Sequence, residues 1–174
     1  ERVIQKVSGV AGGGRVLDLC AGSGCVGLAV ASQCPGARVV LGELSEGALR
    51  ICRQNVRRNG LSGRVVPMQV DALGEPGRAL GEFNCIISNP PYIPTEDIKT
   101  LSPQVGFEPE TALDGGEDGL RYYRMVTALV PHILKKDGIL IYEIGIGQCE
   151  DVSKILQESG FSVAVLRDYG KIDR

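Results

Sequence analysis

Short apolar runs alternate with longer stretches of mixed polarity along most of the chain. A short apolar run rich in β-branched residues predicts a buried strand, whereas apolar residues spaced three and four apart predict a helix. Strands that alternate with helices predict an α/β fold with a doubly wound, mostly parallel, Rossmann-like sheet. The predicted strands are 15–19, 37–42, 65–70, 85–88, 139–144 and 161–166, and the predicted helices are 1–10, 28–31, 45–59, 119–136 and 151–158.

Single residues predict where several of these elements begin, end or bend. Ser45 is the expected N-cap of the helix 45–59, and Gly60 is its expected C-cap. Pro67 lies within the third strand, and because proline is confined to edge strands the third strand is expected at a sheet edge. Pro131 predicts a kink in the helix 119–136.

The composition predicts one globular domain, residues 1–174, because 43% of its 174 residues are apolar. A net charge of −2 gives no support for a surface dedicated to nucleic acid. No apolar run is long enough to span a membrane, and the first residues do not form a signal peptide. They continue a helical pattern without a start signal, so we expect the chain to be part of a longer protein.

The cysteines and the histidine predict neither a metal site nor disulfides. The six cysteines contain no Cys-x-x-Cys pair and the chain has a single histidine, His132, so a zinc site is not expected. Most of the cysteines lie in apolar stretches, where a reduced thiol is a small buried side chain. We therefore expect a reducing compartment, either the cytoplasm or an organelle reached through an upstream targeting segment, and no metal requirement. Independently of the cysteines, the protein is expected to be a monomer.

A glycine-rich turn follows the first strand. Gly22-x-Gly24-x-x-Gly27 opens a helix, which is the place of a dinucleotide fingerprint. Glycine lets a ligand approach the backbone closely, and a helix N-terminus favours an anionic group. Glu43 ends the next strand, where a carboxylate can accept both hydroxyls of a ribose. These residues fit NAD as well as S-adenosylmethionine.

Two further carboxylates favour S-adenosylmethionine. Asp18 stands four residues before the first glycine, where a carboxylate suits a cationic amino-acid group better than a pyrophosphate. Asp71 ends the third strand, where it can accept a hydrogen bond from an adenine amino group. Each could also be an ordinary turn former. With Glu43 and Asn89, however, they make four polar residues at successive strand ends, which is hard to assign to chance.

The segment Asn89-Pro90-Pro91-Tyr92, here named the Asn-Pro-Pro-Tyr loop, follows the apolar run 85–88. Two consecutive prolines end a strand, because neither donates to a ladder and each fixes its own φ. The rigid loop lies at the carboxyl end of a central strand, where ligands bind in open α/β sheets. Its Asn89 amide and Pro90 carbonyl can both accept hydrogen bonds from an –NH2 group, with the face of Tyr92 beside them. The simpler alternative is a proline-terminated strand with asparagine as a turn former.

Several motifs together resemble a known family. Residues 18–24 resemble motif I of class I methyltransferases, and the Asn-Pro-Pro-Tyr loop resembles that of amino-group methyltransferases. Residues 107–120, 143–145, Gln148 and 167–170 are similar to stretches of the release-factor glutamine N5-methyltransferases. The resemblance covers nearly the whole chain. It implies the catalytic domain of an enzyme that uses S-adenosyl-L-methionine to methylate the glutamine in the Gly-Gly-Gln loop of peptide-chain release factors.

The resemblance also implies roles for individual residues. It implies cofactor binding by Asp18, Gly22, Gly24, Glu43, Asp71 and Asn89, catalysis by Asn89, Pro90 and Tyr92, and substrate contact by Asn89, Pro90, Pro91, Tyr92, Glu108 and Pro109. Members of the family normally carry an amino-terminal helical domain that helps to hold the release factor, and it is expected upstream of residue 1. A seventh strand is expected to begin about where Arg174 ends. The acid of motif II is more often Asp, but the longer Glu43 still reaches a ribose.

Two other functional classes remain as alternatives. An N6-adenine methyltransferase acting on DNA or RNA would use the same loop on another –NH2 group, although the negative net charge and the lack of a target-recognition domain speak against it. A non-catalytic nucleotide-binding module or an NAD oxidoreductase would not need the Asn-Pro-Pro-Tyr loop. Each predicts stabilisation by NAD rather than by S-adenosylmethionine.

Overall fold

Strands and helices alternate along the described part of the computed structural model, which comprises residues 1–74, 80–101 and 108–174. The strands are β1 (Arg15–Leu19), β2 (Arg38–Glu43), β3 (Val65–Gln69), β4 (Phe83–Ser88) and β5 (Leu134–Tyr142). The helices are α1 (Arg2–Ser8), α2 (Cys25–Gln33), α3 (Glu46–Arg58), α4 (Arg121–Leu129) and α5 (Cys149–Glu158), with short 3-10 turns at Asp97–Thr100, Glu110–Ala112 and Val130–His132. The predicted α/β class is confirmed.

The five strands form one sheet in the order β3-β2-β1-β4-β5. The pairs β1–β2, β1–β4 and β2–β3 are parallel. Leu19 at the end of β1 lies beside Gly42 of β2 and Ser88 of β4, and Glu43 lies beside Gln69 of β3. The carboxyl ends of these four strands therefore meet at one edge of the sheet, where the predicted acids lie.

The central strands are buried on both faces. Val16, Leu17, Leu41, Cys85 and Ile86 are all fully buried, which is the pattern of a parallel sheet covered by helices on either side. Side chains of α2 and α3 pack into the same core, among them those of Leu28, Cys52 and Val56. This packing fixes the turns that enter the two helices.

Several predicted boundaries are confirmed. The Ser45 hydroxyl accepts a hydrogen bond from the main-chain N–H of Ala48 at 3.3 Å and so caps α3. The C-cap of α3 is Asn59, one residue before the predicted Gly60. Gly60 follows it with φ of 68°, a left-handed conformation that glycine adopts without strain. Strand β3, which contains Pro67, lies at the edge of the sheet as expected.

The prediction of a helix over residues 119–136 is wrong for the second half of that range. Helix α4 ends at Leu129, and Pro131 lies in the 3-10 turn Val130–His132 rather than at a kink. Proline lacks a main-chain donor and disfavours helical geometry in the residue before it, so the helix stops there. Strand β5 consequently begins at Leu134 instead of residue 139.

The predicted sixth strand, 161–166, is also wrong, because these residues form no strand. A strand needs a neighbour with which to exchange hydrogen bonds, and here the chain folds back on itself instead. Arg167 pairs with Asp173 in an isolated antiparallel bridge, and the N–H of Arg174 donates to the carbonyl of Leu166 at 3.0 Å. Phe161 and Val163 are half-buried, whereas the other four residues of the segment are exposed.

The chain divides into two compact units. Unit one comprises Glu1–Ser88 with Leu129–Ile141, and unit two comprises Asn89–Ala128 with Tyr142–Arg174. That residues 1–174 act as one catalytic domain stays a prediction. No helix in the described part of the chain is long and apolar enough to cross a membrane.

Candidate active site

The turn between β1 and α2 in unit one is built from glycines in left-handed conformations. Gly22 has φ of 56° and Gly24 has φ of 81°. A Cβ on Gly24 would lie 2.7 Å from Leu41 Cδ1, and one on Gly27 would lie 2.4 Å from Leu41 Cδ2. These two glycines therefore let α2 lie directly on β2. A Cβ on Gly22 would meet no atom within 4 Å, so one face of the turn is open to a ligand.

Glu43, at the end of β2, holds this glycine turn. Its Oε2 accepts a hydrogen bond from the main-chain N–H of Gly22, and its Oε1 accepts one from that of Ser45, both at 2.8 Å. An ionised carboxylate has about four acceptor positions, so both oxygens can still accept from a ribose. The residue predicted to bind a ribose thus also fixes the turn beside which a ribose would lie.

Asp18 lies within β1 and is only 3% exposed. Its Oδ2 accepts a hydrogen bond from the main-chain N–H of Gly27 at 2.7 Å, which ties β1 to the first turn of α2. Burial raises the pKa of the Asp18 carboxyl to about 7, the bond from Gly27 acts to lower it, and the charge of Glu43 raises it further. Asp18 therefore has a structural partner, and its contact with a cationic group stays a prediction.

Cys20 is a residue of this region that sequence reasoning missed. It follows β1 with φ of 59°, a conformation that residues other than glycine rarely adopt. Burial raises the pKa of the Cys20 thiol to about 12, the Ser88 hydroxyl lowers it, and Glu43, Asp18 and Asp71 each raise it. The structure thus brings the three predicted acids of unit one around the end of β1. The sequence signal was only the position of Cys20 between a strand and a glycine turn.

The carbonyl groups of the glycine turn are held by α3. The thiol of Cys52 donates to the carbonyl of Gly22 at 3.1 Å, and Nδ2 of Asn55 donates to that of Ser23 at 3.0 Å. Sequence reasoning missed both contacts, because they join residues some thirty positions apart. Asp71 is exposed, and its Oδ1 accepts from the N–H of Leu73 at 2.9 Å. Its contact with an adenine stays a prediction.

The Asn-Pro-Pro-Tyr loop opens unit two. Asn89 is exposed, Pro90 and Pro91 are buried, and Tyr92 is half-buried. The Asn89 side chain is thus accessible while the two prolines are anchored in the protein. Such an arrangement exposes one amide on a fixed backbone, and its contact with a substrate stays a prediction.

Three glycines pack directly against Tyr92. A Cβ on Gly115 would lie 2.8 Å from Tyr92 Cα, one on Gly119 would lie 2.4 Å from the Tyr92 carbonyl oxygen, and one on Gly145 would lie 3.0 Å from Tyr92 Cδ2. Any side chain at the first two positions would displace the main chain of Tyr92. The presence of glycine at these three positions is the feature of the sequence that reflects this contact.

The segment after the loop pairs with residues 108–120. The N–H of Ile93 donates to the carbonyl of Leu113 at 3.0 Å, and the N–H of Gly115 donates back to the carbonyl of Ile93 at 2.8 Å. The Asp114 carboxylate accepts from the Thr95 hydroxyl at 2.7 Å and from the N–H of Gly116 at 2.9 Å. These bonds hold the pKa of the Asp114 carboxyl below its usual range.

The predicted substrate contacts Glu108 and Pro109 are both exposed and precede the 3-10 turn Glu110–Ala112. Their contact with a protein substrate stays a prediction. Phe107, which belongs to the same motif, lies outside the described residues. Further along, the carboxylate of Asp118 accepts from the N–H of Leu120 at 3.0 Å and pairs with Arg124, which fixes the start of α4.

Residues 3–103 match the model of the family described as "Methyltransferase small domain". The chain is 43% identical over 163 residues to the release factor glutamine methyltransferase of Geobacter sulfurreducens, covering 91% of this chain and 55% of that protein. It is 45% identical over 150 residues to the protein of the same name from Rhodospirillum rubrum, covering 85% of this chain and 45% of that one. The chain therefore spans about half the length of these curated relatives.

Two solved structures show the same fold at low sequence identity. Ribosomal protein L11 methylase from Lactobacillus delbrueckii subsp. bulgaricus is 18% identical with a TM-score of 0.66, covering 99% of this chain and 72% of that one. TrmN from Thermus thermophilus is 21% identical with a TM-score of 0.65, covering 99% of this chain and 45% of that one. Both likenesses concern the fold alone.

Proposed function

The chain belongs to the methyltransferase small domain family, and from this premise we propose that it is the catalytic part of a release factor glutamine methyltransferase. The proposed reaction transfers a methyl group from S-adenosylmethionine to the side-chain amide nitrogen of the glutamine in the Gly-Gly-Gln loop of a peptide-chain release factor. The observation that carries the proposal is the identity of 43% to a relative of that name over 91% of this chain. The Asn-Pro-Pro-Tyr loop supports the choice of an –NH2 group as the acceptor.

The residues of unit one fit S-adenosylmethionine. The open face of Gly22 allows a ligand to reach the backbone, and a side chain at this position would fill that space. Gly22, Gly24 and Asp18 are the residues that would hold its amino-acid part, Glu43 its ribose and Asp71 its adenine. When bound, this cofactor supplies a methyl group activated by attachment to a positively charged sulfur.

The Asn-Pro-Pro-Tyr loop would prepare the substrate nitrogen. An amide nitrogen is a poor nucleophile because its lone pair is delocalised into the carbonyl group. The Asn89 side-chain oxygen and the Pro90 carbonyl would accept hydrogen bonds from the two N–H groups and orient the lone pair toward the methyl group. Such positioning supplies several kcal/mol of a reaction barrier, on the order of 7 or more in favourable cases. The same acceptors would stabilise positive charge as it develops on the nitrogen. The nitrogen would then lose its proton to solvent, and S-adenosyl-L-homocysteine would be the product left from the cofactor.

The remaining parts of the substrate would be held elsewhere. Tyr92 would pack against the planar amide of the glutamine, and Glu108 with Pro109 would contact the release factor around it. Since the curated relatives are about twice as long as the aligned region, further contacts to the release factor are proposed for the rest of the protein. We also propose a reducing compartment such as the cytoplasm, which the six free cysteines support.

Mass spectrometry of a release factor incubated with the full-length protein and S-adenosylmethionine tests the proposal. A release factor whose Gly-Gly-Gln glutamine is replaced serves as the control, and an adenine-containing oligonucleotide is included as a competing acceptor. One added methyl group on that glutamine, absent from the control, is the expected result. Methylation of the oligonucleotide instead would favour the adenine alternative, and stabilisation by NAD alone would overturn both.

A further inference from the structure

The side chain of Gln148 joins three separate segments of unit two. Its Nε2 donates to the carbonyl of Tyr92 at 2.9 Å and to that of Gly119 at 3.4 Å. Its Oε1 accepts from the main-chain N–H of Gly145 at 3.0 Å. Gln148 itself precedes α5, and the N–H of Val152 donates to its carbonyl at 3.0 Å, so its own backbone is fixed by that helix.

Two glycines leave space for the Gln148 side chain, and a side chain at either glycine position would collide with it. A Cβ on Gly145 would lie 2.7 Å from Gln148 Oε1, and a Cβ on Gly119 would lie 2.7 Å from Gln148 Nε2. The amide therefore lies between two glycine positions in a half-buried site. Only a side chain with a donor and an acceptor at its end can make all three bonds, because the partners are two carbonyl groups and one N–H.

The hydrogen bond from Gln148 to the Tyr92 carbonyl also restricts the residues that precede Tyr92. Pro90 and Pro91 each fix their own φ, so the backbone from Asn89 to Tyr92 has few remaining degrees of freedom. A bond that fixes the main chain of Tyr92 therefore also restricts the direction of the Pro90 carbonyl and of the Asn89 side chain. Asn89 is exposed and lies at the opposite end of the loop from this anchor.

We propose that Gln148 is a positioning residue for methyl transfer, which acts by holding the Asn-Pro-Pro-Tyr loop through the carbonyl of Tyr92. This inference rests on the proposed function, in which Asn89 and Pro90 bind the acceptor nitrogen. In this proposal Gln148 acts through the loop and contacts neither the substrate nor the cofactor. Its loss should therefore act on the rate of transfer more than on cofactor affinity.

Two substitutions separate the two ends of the Gln148 amide. Gln148→Glu keeps an acceptor for Gly145 but loses the donor to Tyr92, whereas Gln148→Ala loses both. The matched control is Gln157→Glu, which makes the same chemical change at an exposed position of the same helix. The readouts on the full-length protein are kcat and KM with a release factor, the Kd of S-adenosylmethionine by calorimetry, and the melting temperature.

Both Gln148 variants should lose about 10- to 100-fold in kcat, the range expected when a catalytic group is misplaced by about an ångström. Their Kd for S-adenosylmethionine should stay within about twofold of the wild type, because the residues of unit one that are proposed to hold this cofactor are unchanged. Gln157→Glu should match the wild type in every readout. A pH series adds a test that a merely structural role would not pass. Protonation of the new carboxylate in Gln148→Glu restores a hydrogen-bond donor to Tyr92. The kcat of Gln148→Glu relative to that of Gln148→Ala should therefore rise as the pH falls.

The outcomes distinguish this inference from the proposed function. Wild-type kcat in Gln148→Glu and Gln148→Ala would overturn the role of Gln148 alone, as would equal losses in kcat and cofactor affinity. A kcat ratio of the two variants that does not change with pH would overturn the requirement for a donor to Tyr92. Failure of the wild-type protein to methylate a release factor would overturn the proposed function, and the role of Gln148 with it.

Discussion

The main-chain N–H of Gly22 donates a hydrogen bond to Oε2 of Glu43 at 2.8 Å, across 21 positions of sequence. This bond makes the end of β2 the support for the glycine turn that follows β1. A substitution at Glu43 should therefore disturb cofactor binding in two ways, through the lost ribose contact and through the turn itself.

Glu43→Gln should weaken S-adenosylmethionine binding by at least about tenfold, because hydrogen bonds to a charged group contribute about 1.5–3 kcal/mol. The new amide keeps one acceptor oxygen but turns an –NH2 group toward either Gly22 or Ser45. Calorimetric titration of the full-length protein with S-adenosylmethionine measures the effect. Glu46→Gln is the control, since that carboxylate pairs with Arg53 at the surface of the neighbouring helix α3. Unchanged affinity in Glu43→Gln would refute its role as a ribose acceptor.

Gly22→Ala should reduce cofactor affinity far more than Gly60→Ala. Both glycines have positive φ, 56° and 68°, and neither would bring a Cβ within 4 Å of another atom. Each substitution should therefore cost a similar 1–2 kcal/mol of conformational strain. Only the methyl group at Gly22 would occupy the face proposed for S-adenosylmethionine.

Urea denaturation and calorimetric titration of the two glycine variants provide the comparison. Equal losses of stability together with a loss of affinity in Gly22→Ala alone are expected. If the two variants bound S-adenosylmethionine equally well, the open face of Gly22 would not be a cofactor surface.

Asn89→Ala should lower kcat by about 100-fold or more while changing the Kd of S-adenosylmethionine much less, because the role proposed for Asn89 is to accept a hydrogen bond from the substrate nitrogen. Asn59→Ala, at an exposed asparagine that ends α3, is the control. Steady-state kinetics with a release factor and calorimetry with the cofactor measure the two quantities. Equal losses in both would refute this catalytic role of Asn89.

Asp18 should contribute a loss of stability as the pH rises from about 4 to 7. Burial raises the pKa of its carboxyl from 3.8 to about 7 in the folded protein. In that interval the unfolded chain has released the proton that the folded chain retains, so increasing pH favours unfolding. The stability difference is on the order of a few kcal/mol, since each pKa unit corresponds to about 1.4 kcal/mol.

Asp18→Asn should remove this part of the pH dependence, because an amide does not titrate and its oxygen can still accept from Gly27. Free energies of unfolding from urea denaturation at pH 4.5, 6 and 8 should show a smaller decline in the variant than in the wild type. Asp137→Asn, at an exposed position of β5, should keep the wild-type decline. If the free energy of unfolding declined as much in Asp18→Asn as in the wild type, the pH dependence would come from other groups.

Local chemistry explains which parts of the fold the sequence predicted. Strand ends such as Glu43, the cap Ser45 and the edge residue Pro67 follow from residue type and near neighbours, and these were found. The segment 161–166 has the alternation of a strand, but pairing depends on a distant neighbour that no local pattern reveals. Pro131 was interpreted as a kink, although its missing donor ends the helix outright.

The candidate site shows the same division. The positions of the acids along the sequence predicted that they would gather at the strand ends. In the structure the charges of Glu43, Asp18 and Asp71 all raise the pKa of the Cys20 thiol. The bonds from Cys52 to Gly22 and from Gln148 to Tyr92 were not predicted, because each joins residues separated by 30 or 56 positions. Which of many glutamines or cysteines makes such a bond is decided by packing.

Pro67 has a consequence for how the protein meets other chains. The carbonyl of Arg64 accepts from Val39 of β2, and the N–H of Val70 donates to Glu43 of β2, so the even-numbered residues of β3 face that neighbour. Pro67, being odd-numbered, faces the outer side, where β3 is the last strand among the described residues. An approaching strand would find a ring carbon in place of a donor there. The β3 edge of the sheet is therefore a poor template for adding a strand.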